Sequence, residues 1–159
     1  MGGDVEFLIR QDDLTGPEIA ALLGSHLKHA ARHSPRESIH ALDLDGLRAP
    51  EITFWTAWTD RNLLGCGALR DLSPDHGEIK SMHTPMAHRR KGVASRLLAH
   101  ILGEAKARSY RRVSLETGSM DGFASARALY ARFGFRPCPP FADYREDVNS
   151  VCMALDLRP

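Results

Sequence analysis

Residues 78–110 read EIKSMHTPMAHRRKGVASRLLAHILGEAKARSY, and this segment decides the fold. An extended run over 78–84 is followed by a turn at 85–88, by the basic residues 89–91 and by Gly92. From Val93 onward apolar residues recur every three or four positions, which predicts an amphipathic helix. Its apolar face consists of Val93, Leu97, Leu98, Ile101, Leu102 and Ala105. A strand, a tight turn and a helix N-terminus together form a typical anion site, because the first N–H groups of a helix have no partner within it.

The turn before this helix has the composition of a phosphate-binding loop. Gly92 lets a ligand approach the backbone closely, and the helix dipole favours negative charge at this end. The surrounding side chains are basic: His88, Arg89, Arg90, Lys91 and Arg96. We therefore expect a diphosphate as the ligand.

Two signatures resemble those of the GCN5-related N-acetyltransferases (GNAT family). Residues 89–94, RRKGVA, follow the predicted strand and are similar to the family's Q/R-x-x-G-x-G/A signature, which binds the pyrophosphate of acetyl-CoA. Residues 126–135, ARALYARFGF, resemble the family's second signature at the usual distance. The resemblance implies an acetyl-CoA-dependent N-acetyltransferase that uses acetyl-CoA as donor.

The resemblance also implies an α/β fold. We expect one GNAT-like domain over residues 1–159, with a central mixed, mostly antiparallel sheet of six to seven strands, splayed between strands 4 and 5 and flanked by helices. The residue patterns predict strands at 5–10, 51–58, 63–71, 78–84, 112–117, 135–136 and 151–157, and helices at 17–33, 38–42, 93–106 and 123–133. No repeat or linker divides the chain.

Composition narrows the class of protein. The hydrophobic content is 43% and the charged content is 26%, as in globular domains, and the formal net charge is only +1. Such a balance gives no reason to expect a nucleic-acid or membrane partner. Cys66, Cys138 and Cys152 lack metal-ligand spacing, and residues 1–6 lack the features of a signal peptide. We expect reduced thiols and a cytoplasmic protein.

The resemblance implies a cofactor site on the strand, the turn and the helix start. Backbone groups of residues 82–84 would hold the pantetheine arm, and the N–H groups of residues 90–94 would hold the pyrophosphate. The predicted cofactor-binding residues are Met82, His83, Thr84, Arg89, Arg90, Lys91, Gly92, Val93, Ala94, Ser95 and Ser125. Phe123 stands where the family usually has an Asn that contacts pantetheine, so Ser125 or Ser119 would replace this contact, or it is absent. The alternative is an ordinary strand–helix connection with solvated charges.

Glu78 is the predicted general base. It lies eleven residues before Arg89, the offset at which histone-type members of the family carry their base glutamate. A carboxylate can take the proton of the incoming amine directly or through water. The alternatives are an exposed glutamate or one paired with Lys80 or Arg112, and Glu116 is the reserve candidate.

Tyr130 is the predicted general acid, because the tyrosine of the second signature donates to the departing thiolate in the family. The alternative is an aromatic side chain that only fills the core. No cysteine has a paired base nearby in the sequence, so we expect direct transfer without an acyl-enzyme.

The acceptor is predicted to be a primary amine of a small molecule or amino-acid-like compound. A protein lysine or N-terminal amine, or a non-catalytic acyl-CoA-binding role, remains open. Arg36, Asp43 and Asp45 are candidates for acceptor recognition, with helix capping as the ordinary alternative for the aspartates. His29 and His33 have i, i+4 spacing but no carboxylate or thiol to complete a ligand set, so no metal is expected. The chain is a possible homodimer.

Overall fold

The computed structural model describes residues 7–35 and 43–157. In chain order the elements are β1 (Leu8–Gln11), α1 (Pro17–His33), α2 (Leu44–Leu47), β2 (Ile52–Thr59), β3 (Asn62–Ser73), β4 (His76–His83), α3 (Val93–Ala107), β5 (Arg112–Gly118), α4 (Ala124–Arg132), β6 (Arg136–Cys138) and β7 (Ser150–Asp156). None of the helices within these residues is long and apolar enough to cross a membrane.

One seven-stranded sheet organises these elements, in the order β1-β2-β3-β4-β5-β7-β6. Only β4 and β5 are parallel, and helix α3 makes the crossover between them. All other neighbouring strands are antiparallel. The predicted single α/β fold with a mixed, mostly antiparallel sheet is confirmed.

Two apolar layers cover the two faces of the sheet. Helix α3 buries Leu97, Leu98 and Ile101 against one face, as its periodicity predicts. Helix α1 buries Ile19 and Leu23 against the other, in a smaller cluster. Burying a side chain of this size stabilises the fold by about 1.5–3 kcal/mol. The site described below lies where the second layer ends, over β4 and β5.

Some element boundaries match the prediction, and others differ from it. Helix α1 begins at Pro17 and ends at His33 as predicted, because proline suits the first helical position. The predicted helix at 38–42 and the first part of the predicted strand at 5–10 lie outside the described residues. The helix predicted at 123–133 begins one residue later, after a single 3-10 turn over Asp121–Phe123.

Candidate active site

The central sheet opens between β4 and β5. The two strands are paired only from His76 with Arg112 to Ile79 with Leu115. Beyond this level β4 continues beside β3, and residues 116–118 of β5 continue beside β7. The predicted splay is therefore present, and the edges that face each other across it lack strand partners on that side.

A bulge at Ser81 shapes the β4 side of the opening. Cys66 pairs with His83 and Ala68 pairs with Lys80, so β4 contains one residue more than β3 between these two rungs. Ser81 takes up the extra length with a φ of 54°, and its carbonyl accepts a bond from the Cys66 thiol at 3.2 Å. Such a bulge leaves backbone groups out of the ladder and bends the strand.

The turn after β4 has the geometry of an anion site. Gly92 is the N-cap of α3 with a φ of 81°, a left-handed conformation that favours glycine. No side chain caps this helix end, which leaves first-turn N–H groups available to a ligand. The Arg89 Nε donates to the Thr84 carbonyl at 3.0 Å and closes the turn. Arg90, Lys91 and Arg89 are exposed around it.

Glu78 is the most deeply buried charged group near the opening. Its side chain is only 1% exposed, so the alternative of an exposed glutamate is wrong. The Lys80 Nζ lies 3.2 Å from Oε2, and the Tyr144 hydroxyl donates to the same oxygen at 2.5 Å. Lys80 also donates to the Tyr144 hydroxyl at 2.9 Å. We call Glu78, Lys80 and Tyr144 the ion-pair cluster.

The second oxygen of Glu78 is open to a further donor. Oε1 is buried and accepts no hydrogen bond from the described residues. The Arg70 guanidinium lies 4.0 Å from it, at the limit of an ion pair. A buried carboxylate oxygen without a donor is costly, so Oε1 is suited to accept a hydrogen bond from an amine or a water molecule.

Tyr144 is a site residue that the sequence did not reveal. It belongs to residues 139–149, the β6–β7 loop, which reaches back across 66 positions to Glu78. Phe141 of the same loop packs on the Tyr144 ring at 4.9 Å and on His76 at 5.9 Å. Burial and the Glu78 carboxylate raise the pKa of Tyr144, so its hydroxyl stays a donor.

Tyr130 lies on α4 within the core on the α3 side of the sheet, beside Phe135 at 5.8 Å. Burial raises the pKa of its hydroxyl, and the Glu116 carboxylate adds to this shift. A tyrosine in this state carries its proton at neutral pH, which a proton donor requires. Packing and proton donation are therefore compatible for this residue.

Phe123 has a structural role in place of the usual Asn. Its ring packs on His29 at 5.3 Å and on His33 at 6.1 Å. It also fills the space over the end of β5, since a Cβ at Gly118 would lie 2.3 Å from the ring. Of the two proposed substitutes, Ser125 is exposed in the first turn of α4, and Ser119 donates to the Val148 carbonyl at 2.7 Å.

A second group of polar side chains lies at the C-terminal end of β4. The His83 ring contacts His26 at 5.0 Å and His29 at 6.2 Å, and its Nε2 lies 3.2 Å from the Ser25 hydroxyl. Burial lowers the pKa of His26 to about 4 and that of His83 to about 3, and the neighbouring histidines and Arg89 add to the shift at His83. We call His26, His29 and His83 the histidine cluster. Its members are neutral at pH 7.

The remaining acceptor candidates have structural roles or lie outside the description. Asp43 caps α2 by accepting from the Gly46 N–H at 2.9 Å, and Asp45 pairs with Arg48 at 3.6 Å. Arg36 lies outside the described residues. Within residues 7–35 and 43–157, no group of three or more His, Cys, Asp or Glu could hold a metal ion.

Comparison with known proteins identifies the family. The model of the acetyltransferase (GNAT) family matches residues 19–135. The chain belongs to the GNAT family. It is 57% identical over 149 residues to the uncharacterized N-acetyltransferase YsnE of Bacillus subtilis (strain 168), covering 94% of this chain and 99% of the relative. It is 48% identical over 151 residues to the uncharacterized N-acetyltransferase YedL of Escherichia coli (strain K12), covering 95% of each.

Solved structures share the GNAT fold. A Klebsiella pneumoniae protein classed with the acyl-CoA N-acyltransferases has a TM-score of 0.79 at 25% identity, covering 97% of this chain and 99% of that one. A GNAT acetyltransferase from Elizabethkingia anophelis, solved with acetyl-CoA bound, has a TM-score of 0.69 at 18% identity, covering 95% and 98%. The GNAT protein described here is thus an acyltransferase, an acetyl-CoA-dependent N-acetyltransferase by its family and relatives.

Proposed function

We propose that this GNAT protein transfers an acetyl group directly from acetyl-CoA to the primary amine of a small molecule or amino-acid-like acceptor. Glu78 accepts the proton of the amine, and Tyr130 protonates the departing thiolate. The observation that carries this proposal is the buried Oε1 of Glu78, which accepts no hydrogen bond from the described residues and lies one rung before the last pair between β4 and β5.

The donor end of the site rests on the turn before α3. The N–H groups of residues 92–95 point out of an uncapped helix end whose dipole favours an anion. Basic side chains around the turn add attraction for a diphosphate. The pantetheine arm would then lie along residues 82–84, in the opening between the two strands.

The acceptor end rests on the ion-pair cluster. Lys80 and Tyr144 both donate to Oε2 of Glu78, which fixes the carboxylate and leaves Oε1 for the amine or for a bridging water. Burial of these groups keeps bulk water from competing for the same proton. A positioned base of this kind contributes about 10²–10⁴-fold to the rate.

Two substitutions test the proton-transfer roles. Glu78→Gln and Tyr130→Phe should each lower kcat by about 10²–10⁴-fold while calorimetry still detects acetyl-CoA binding. Glu18→Gln, on an exposed part of α1, and Tyr110→Phe, a second buried tyrosine of the same apolar cluster as Tyr130, serve as matched controls. Wild-type turnover in either test variant would remove that residue from the mechanism.

A panel of acceptors decides the substrate class. Thiol release from acetyl-CoA is measured with small amines, free amino acids, lysine-containing peptides and peptides with a free N-terminal amine. Turnover of a small amine supports the proposal, whereas turnover of peptides alone would replace it with a protein acetyltransferase. Binding of acetyl-CoA without turnover of any acceptor would contradict it.

The cofactor site is tested separately. Gly92→Val forces a β-branched residue into a left-handed conformation at the N-terminus of α3 and should weaken acetyl-CoA binding at least tenfold. Gly103→Val lies in the middle of α3, where a Cβ meets open space at ordinary helical geometry, and should leave binding unchanged. Equal affinities in the two variants would place the diphosphate elsewhere.

A further inference from the structure

The last rung between β6 and β7 joins two cysteines. Cys138 ends β6 and lies directly opposite Cys152, the third residue of β7. Directly opposed residues of antiparallel strands have their side chains on the same face and their Cα atoms about 4.5–5.5 Å apart. Disulfides join Cα atoms about 4.4–6.8 Å apart. Both cysteines are free thiols in this structure, and the backbone already holds them in a range that a disulfide can span.

The two thiols have different surroundings. Cys152 is buried, and its sulfur accepts a hydrogen bond from the Phe141 backbone N–H. Burial raises the pKa of Cys152 to about 11, with Cys138 and Glu116 adding to the effect, so it stays a thiol at neutral pH. Cys138 is half-exposed on the edge strand of the sheet. An oxidant from solution therefore reaches Cys138 first.

Cys138 and Cys152 flank the β6–β7 loop, and this loop contributes Tyr144 to the ion-pair cluster. The loop is also held at other points: Phe141 packs on His76, and Ser119 donates from its N–H to the Asn149 carbonyl and from its hydroxyl to the Val148 carbonyl. A covalent link across the base of the loop would restrict how far the loop can move.

We propose that Cys138 and Cys152 form a redox pair whose disulfide holds the β6–β7 loop closed over Glu78. With hydrogen peroxide as oxidant, the Cys138 sulfur attacks one peroxide oxygen, the O–O bond breaks, and a sulfenic acid and water form. The Cys152 sulfur then attacks the Cys138 sulfur, the S–O bond breaks, and a second water leaves with the thiol proton. Two thiols and one peroxide give one disulfide and two waters. A thiol reductant reverses the reaction.

The effect on catalysis rests on the proposed function, since it assumes that the acceptor reaches Glu78 beside Tyr144. The oxidised protein has a lower kcat/KM for the acceptor, because the closed loop admits the amine less often. Its affinity for acetyl-CoA is unchanged, because the turn before α3 lies on the other side of the opening. Formation of the disulfide itself does not depend on the acceptor.

Mass spectrometry tests the pair directly. The purified protein is treated with a small excess of hydrogen peroxide, alkylated under denaturing conditions and digested with trypsin. Cleavage after Arg145 separates residues 133–145, with Cys138, from residues 146–159, with Cys152. We expect these two peptides joined, with the loss of two hydrogen atoms, and Cys66 alkylated. Cys66 is the internal control, since it is fully buried and donates to the Ser81 carbonyl.

Two variants complete the test. Cys138→Ser removes the half-exposed partner at little risk to the fold and should abolish the linked peptide and the effect of peroxide on turnover. Cys66→Ala should retain both. In the wild type, kcat/KM for the acceptor should fall at least threefold on oxidation and recover with dithiothreitol. Linkage between chains, or oxidation of Cys138 only to sulfinic acid, would overturn the redox pair. A linked peptide with unchanged kcat/KM would overturn closure of the loop, whatever the acceptor proves to be.

Discussion

Strand β4 carries two buried polar groups that avoid the cost of burial in opposite ways. The ion-pair cluster lies where β4 still pairs with β5 and keeps opposite charges in contact. The histidine cluster meets β4 at His83, three residues after Lys80 and beyond the bulge, and its ionisable neighbours are histidines and Arg89, all basic. In the ion-pair cluster, opposite charges offset the cost of burial. In the histidine cluster, the side chains are buried in their neutral form.

The two clusters differ in their capacity for proton transfer at neutral pH. A neutral, buried imidazole packed on other rings offers contact area and little driving force for proton transfer at pH 7. A fixed carboxylate with one oxygen that accepts no hydrogen bond can bind and deprotonate an ammonium group. We therefore expect the stability of the ion-pair cluster to depend on both of its charges, and the stability of the histidine cluster to depend on pH.

The largest expected effect comes from removing one charge of the ion-pair cluster. Lys80→Met should lower the free energy of unfolding by about 3–5 kcal/mol, because Glu78 is then buried without its direct cation. Urea denaturation measures this. Asp45→Asn, which weakens an exposed pair with Arg48, should change stability by no more than about 1 kcal/mol. Equal effects in the two variants would show that the Glu78–Lys80 contact is dispensable.

Tyr144→Phe should have a smaller effect on stability. The variant loses a hydroxyl that donates to Glu78 and accepts from Lys80, and bonds to charged groups are worth about 1.5–3 kcal/mol. Because the loop position also changes, KM for the acceptor should rise while acetyl-CoA affinity stays constant. An unchanged KM in steady-state kinetics would show that the Tyr144 hydroxyl does not contribute to acceptor binding.

Acid should act mainly on the histidine cluster. His83 has a pKa of about 3 in the folded chain against an ordinary value of 6.5, so the unfolded chain binds more protons between these values. Its contribution to stability is present above pH 6.5 and is lost as the pH falls toward 3. Between pH 7 and pH 5 we expect a loss on the order of 1–2 kcal/mol from this residue.

Urea denaturation of His83→Gln at both pH values checks this, since the difference between them should shrink. His76→Gln is the matched control, because Asp75 and Glu78 partly offset the lowering of the His76 pKa by burial. An equal reduction of the pH dependence in both variants would contradict a special role for the histidine cluster.

The smallest expected effect is that of Ser25→Ala. It removes one hydrogen bond to the neutral His83 ring, at 3.2 Å, and should cost about 0.5–1.5 kcal/mol. Thermal denaturation is sensitive enough to detect it. A loss as large as that of Tyr144→Phe would show that the two groups do not differ in how they are stabilised.

Local patterns were sufficient to predict much of this molecule. Helix α3 and the turn before it follow from apolar spacing and from a glycine at the helix start, which are properties of adjacent residues. The sequence also named Lys80 as an alternative partner of Glu78, and residues two positions apart lie on the same face of a strand.

Contacts between distant segments could not be predicted in this way. Tyr144 lies in a loop without periodicity, and nothing in its neighbourhood indicates that it meets a carboxylate 66 positions earlier. Phe123 is visible in the sequence only as a departure from the family pattern. Its actual partners, two histidines one helix turn apart, become evident only when α1 is placed on the sheet.

The extra residue at Ser81 has a consequence for how the proposed catalytic and cofactor ends are kept apart. In a regular strand Glu78, Lys80, Met82 and Thr84 would share one face, and the odd-numbered residues the other. One additional residue reverses this alternation. The charged side chains before the bulge lie on one face of the sheet, and even-numbered residues after the bulge point to the other face. Deleting Ser81 would restore the alternation and move every later side chain of β4 to the wrong surface.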